Sequence, residues 1–121
     1  MIIALWIVTA VLALAFVMAG TMKVVTPYER VGENERMAWV ETVNPAQLKG
    51  IGALEVIGAL GLVLPAATGI APWLTPVAAF ALAGMMAVAV GLHLRRREPF
   101  VPSLVLGVVA VAIGTGWLVF A

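Results

Sequence analysis

Residues 2–22 run IIALWIVTAVLALAFVMAGTM, an apolar stretch with no charge inside it. A helix needs about 20 residues to cross the ~30 Å hydrocarbon core of a bilayer, so this stretch reads as a membrane-spanning helix. Three more segments read the same way. Residues 45–64 meet the length with two charges, Lys49 and Glu55. Residues 73–94 meet it with Pro76 in the first turn, where a missing N–H is tolerated. Residues 101–120 meet it again, opening at Val101 or Pro102. Period-two alternation is absent, which argues against a β-barrel. The expectation is an all-α integral membrane bundle of four transmembrane helices forming a single domain, 1–121.

The composition points the same way. Of 121 residues, 64% are hydrophobic and 11% charged, against ~45–50% and ~25% in an average soluble domain. A soluble fold this small could not cover so much apolar surface. A net charge of +1 provides no field to attract nucleic acid, so no nucleic-acid partner is expected. The absence of cysteine excludes disulfide scaffolds and thiolate chemistry. Residues 2–22 lack a positive n-region and are long for an h-region, so a retained helix is expected rather than a cleaved signal.

The connections carry the polarity. Lys23 to Asn44 holds Glu29, Arg30, Glu33, Glu35, Arg36 and Glu41. Thr26-Pro27 reads as a break, and residues 33–43 as a short interfacial helix with Met37, Val40 and Val43 on one face. Asn44-Pro45 reads as an N-cap followed by proline at the first helical position. Residues 65–72 carry no charge, whereas residues 95–99 read Arg-Arg-Arg-Glu-Pro. The lysines and arginines thus fall in or beside the first and third connections, which share one side of a four-helix chain. The positive-inside rule makes that side cytoplasmic and both termini extracytoplasmic. Trp6, Trp73 and Trp117 then fall at the outer boundary, as an aromatic belt would. Arg95, Arg96 and Arg97 read as topology signals that touch lipid headgroups.

Three residues could carry chemistry. Glu55 lies ten residues into the second segment, about 15 Å along a helix axis. Its face holds Ile51 together with Gly52, Gly58 and Ala59, the last three small enough to admit a close helix neighbour. It therefore reads as facing the bundle, either as a buried carboxyl that fixes packing or as a proton, cation or ligand site. Lys23 closes the first helix with Gly20 and Phe16 on its face. It either snorkels to the interface or reaches inward to pair with Glu55. His93, at the end of the third helix, either caps that helix or joins Lys23 and Glu55 in one inward polar group. One His and one Glu make a poor metal site, so no metal is expected. The chain has no Asp and no Ser–His–Asp set, and no Walker loop. No catalytic residue is assigned, and whether the chain is an enzyme stays open.

Three stretches resemble the DoxX / DoxX-like family of small four-helix bacterial membrane proteins. Phe16-Val-Met-Ala-Gly20-Thr-Met-Lys23 is similar to the family's end of helix one. Ile51-Gly-Ala-Leu-Glu55-Val-Ile-Gly58 is similar to its second-helix Leu-Glu-x-x-Gly element. His93-Leu-Arg-Arg-Arg-Glu98 is similar to its His-x-Arg-Arg-x-Glu end of helix three. The resemblance implies a bacterial inner (plasma) membrane protein associated with redox systems, and related members assist the assembly of other membrane proteins. Lacking Cys and redox-metal ligands, this chain would have no intrinsic cofactor. The leading expectation is a non-catalytic accessory or assembly subunit of a membrane, redox-linked complex. Its partners would be membrane lipids and a membrane or peripheral redox protein, with a homo-oligomer also open. One alternative is a quinone- or lipid-binding protein with a polar pocket at Glu55. The other is a small proton-coupled transporter.

Overall fold

A computed structural model describes residues 2–26 and 44–120 of the chain. These residues form four helices: α1 Ile2–Val25, α2 Pro45–Thr68, α3 Leu74–Arg95 and α4 Val101–Phe120. No strand occurs among them. All four helices are long and apolar enough to cross a membrane. The interfacial helix expected at 33–43 lies outside the described residues.

Local chemistry explains the helix ends. Asn44 opens α2 with a capping box: its Oδ1 accepts from the Gln47 N–H at 2.7 Å, and its own N–H donates to Gln47 Oε1 at 3.0 Å. Two orphan donors of the helix start are satisfied, and Pro45 follows where no N–H is needed. At the other end α2 runs to Thr68, four residues past the end placed at Leu64. Pro65 lies inside the helix and is buried. A proline removes one backbone hydrogen bond, which neighbouring helices offset more readily in a membrane bundle than in water. The stop comes at Gly69, whose φ of 73° only glycine adopts freely and whose N–H donates to the Pro65 carbonyl.

The helices form a ring. α1 packs most extensively against α2, and α3 against α4; the α2–α3 seam is smaller and the α1–α4 seam smallest. Each helix contributes to one apolar core, with Phe16, Leu62, Leu82 and Ile113 almost wholly buried. Between 17% and 28% of each span is buried, so most of the apolar surface faces outward, where hydrocarbon replaces a conventional core.

The thin α1–α4 seam is held at one end by tryptophan. Trp117 Nε1 donates to Thr9 Oγ1 at 3.0 Å, and Thr9 donates in turn to the Leu5 carbonyl at 2.7 Å. Trp6 and Trp117 meet edge to face with centroids 5.0 Å apart, a geometry that the ring quadrupoles favour. Trp73 is exposed, as a belt residue would be. Trp117, grouped with the belt by position, uses its N–H between helices instead.

Candidate functional site

The end of the bundle that carries Lys23, Lys49 and the three arginines holds the polar side chains of interest. α1 and α2 cross there on two glycines. A Cβ on Gly20 would sit 2.5 Å from the Gly52 carbonyl oxygen, and one on Gly52 would sit 2.6 Å from the Gly20 carbonyl oxygen. The two backbones therefore touch, as small residues allow in membrane helices. The arrangement is reciprocal. Lys23 Cβ lies over Gly52, and Glu55 Cβ lies over Gly20.

That close approach lets the two side chains reach each other. Lys23 Nζ donates to Glu55 Oε1 at 2.6 Å. Lys23 is 8% exposed and Glu55 2%, so the contact is shielded on all sides. Burying either charge alone is expensive, and a partner at hydrogen-bonding distance offsets that cost. The lysine is thus turned inward rather than out to the interface.

The three sequence candidates do not form a single group of contacts. The structure joins Lys23 with Glu55 and turns His93 to the α3–α4 connection, where its Nδ1 lies 3.3 Å from Glu98 Oε1. Arg96 Nε lies 3.0 Å from the same oxygen. The backbone here closes α3 with a double bond pattern. The Glu98 N–H donates to the His93 carbonyl at 2.8 Å, and the Arg97 N–H to the Leu94 carbonyl at 3.2 Å. This is the Schellman arrangement, which usually places glycine at the left-handed residue. Here Arg97 occupies it, with φ of 56°, at a cost of about 1–2 kcal/mol for an L-residue. Partial burial works against the Glu98 carboxylate. Hydrogen bonds from Arg96 and His93, and the charges of both, outweigh it and hold the carboxyl below the usual carboxylate range.

Sequence reasoning missed three of these features. Gly20 and Gly52 each read as inward-facing from sequence, but their contact with each other does not follow from it. Their signal is a matched spacing: each glycine stands three residues before a charge, as Gly20-x-x-Lys23 and Gly52-x-x-Glu55. The capping role of Gln47 was visible as Asn44-x-x-Gln47. The Schellman turn had no sequence signal, since its usual glycine is absent. Among the described residues, no three His, Cys, Asp or Glu side chains cluster as metal ligands.

Four spanning helices, locked at one end by a buried ion pair on a glycine crossing, define a small multi-pass membrane protein. A family model, the DoxX-like family, matches residues 7–116; the chain belongs to that family. Searches among curated proteins and among solved structures return no match.

Proposed function

We propose that the chain is a non-catalytic accessory or assembly subunit of a membrane complex linked to redox chemistry. The observation that carries this reading is the mutual engagement of Lys23 and Glu55. The one carboxylate deep in the described spans is bonded to a lysine at 2.6 Å on a backbone-to-backbone crossing. Such a pair fixes the angle of two helices. With Glu55 2% exposed, the carboxylate has no water to exchange protons with while the pair is closed. The outward apolar surface of all four helices supports the same reading, since it is available to a partner's helices as well as to lipid. The redox link rests on the family's association with such systems.

The test is native mass spectrometry of the gently extracted protein, wild type beside Lys23→Met/Glu55→Leu. A stoichiometric protein partner held by both forms is expected, because the apolar pair keeps the crossing. A quinone or lipid carried by wild type and lost from the double variant would overturn the reading in favour of a binding site at the pair. Bare protein in both forms would overturn it too. A transporter would show proton-driven vesicle uptake abolished by Glu55→Gln.

The orientation belongs to the same proposal: bacterial inner membrane, basic end in the cytoplasm, both termini outside. Alkaline phosphatase fused after Ala121 is expected to be active in a bacterial host. An inactive fusion with an active cytoplasmic reporter at the same point would reverse the topology.

A further inference from the structure

The α3–α4 pair leaves an open groove of about 290 Å³ between its helices, lined by Ala83, Ala87, Val90, Ser103, Gly107 and Val111 among others. The lining is apolar apart from Ser103. From Ala83 to Val90 on α3, and from Ser103 to Val111 on α4, the groove runs about 10–12 Å at the helical rise per residue. One leaflet of a bilayer's hydrocarbon core is about 15 Å deep, so the groove matches most of one acyl chain.

The groove's lining reaches Val90 on α3 and Ser103 in the first turn of α4, and the turn that joins these two walls lies beyond that end. That turn and the last residue of α3 hold Arg95, Arg96 and Arg97 against one acid, Glu98. Arg96 is fastened to Glu98, whereas Arg95 and Arg97 are exposed. Arg97 also stands in the left-handed conformation, where glycine would relieve strain but carry no charge. Ala71 shares this backbone region with φ of 48°, but at Arg97 the strained position also carries a charge, and that supports a use for the side chain.

We infer that the α3–α4 groove binds one anionic phospholipid, with an acyl chain between the helices and the phosphate at Arg95 and Arg97. Charge complementarity selects the occupant. A zwitterionic lipid also brings a phosphate, but its own cationic group offsets the attraction to the arginines, and a second copy of the chain would bring the same positive turn against itself. The site is separate from the Lys23–Glu55 pair and stands whether or not the chain is an accessory subunit.

The experiment offers purified protein in detergent an equimolar mixture of phosphatidylglycerol and phosphatidylcholine with matched chains, and reads retained lipid by native mass spectrometry. Wild type is expected to hold one phosphatidylglycerol in preference by about thirtyfold, the scale that two basic residues set against an anionic headgroup. Arg97→Gly is expected to weaken that preference while raising the melting temperature, so the loss cannot be laid to unfolding. Ala87→Leu, which fills the groove from an exposed position, is expected to reduce retention of both lipids severalfold. Equal retention of the two lipids by wild type would overturn the inference. So would unchanged phosphatidylglycerol binding in Ala87→Leu, or a lipid-free dimer that this variant abolishes.

Discussion

Glu55→Ala is expected to lower the stability of the bundle by about 3–5 kcal/mol, the cost of leaving a buried charge without its partner. Lys23→Ala is expected to fall in the same range, for the mirror-image reason. The geometry sets the size of the effect. Lys23 is 8% exposed and Glu55 2%, at a separation of 2.6 Å, so water can replace neither partner without opening the α1–α2 crossing. Lys23→Met/Glu55→Leu removes both charges and keeps the volume. It is expected to recover most of the loss, since a buried pair replaced by apolar residues is often neutral or stabilising. Unfolding by sodium dodecyl sulfate, followed through tryptophan fluorescence, measures all three. If the double variant loses the sum of the single losses, the two charges do not depend on each other and the pair is not the lock described here.

Gly20→Ala is expected to be the next most damaging change, at about 1–3 kcal/mol, although it adds a single methyl group. Its Cβ would sit 2.5 Å from a backbone oxygen, 2.8 Å from Val56 Cγ2 and 3.1 Å from Glu55 Cβ. A carbonyl cannot rotate aside as a long side chain can, so the helices must separate, and separation stretches the ion pair as well. Gly84→Ala provides the contrast. A Cβ there meets nothing within 4 Å, and alanine is favoured over glycine in a helix by about 1 kcal/mol. The two glycine-to-alanine changes should therefore shift the same unfolding curve in opposite directions. Equal shifts would mean that the crossing is looser than the structure shows.

Much of this fold is legible in the sequence, because a membrane simplifies the reading. Length and apolarity alone locate α1, α3 and α4 to within a few residues, since hydrocarbon thickness sets helix length. The far end of α2 is harder. Pro65 reads as a stop, yet the helix runs through it to Gly69, because the decision rests on neighbouring helices. The Lys23–Glu55 contact is legible from the small residues on each face, which imply that helix faces with room beside a charge turn inward. Its tightness is not, because nothing in one helix says which glycine of another it will meet. The turn after α3 is the least legible part. Its conformation depends on arginine accepting a backbone angle that favours glycine, and on Glu98 gathering His93 and Arg96 at one oxygen.

The uneven seams of the ring bear on how the protein is made. A lone helix with a central carboxylate partitions poorly from the translocon, with a penalty of roughly 2.5–3.5 kcal/mol on insertion scales. α2 is such a helix, and the residue that neutralises it belongs to α1. The first two helices are thus best released into lipid as one hairpin, with the lysine arriving before the acid that needs it. α3 and α4 contain no acid within their spans and carry no such dependence. Biogenesis then divides in two: a coupled first hairpin whose timing matters, and a second that inserts on its own and docks through the smaller α2–α3 seam.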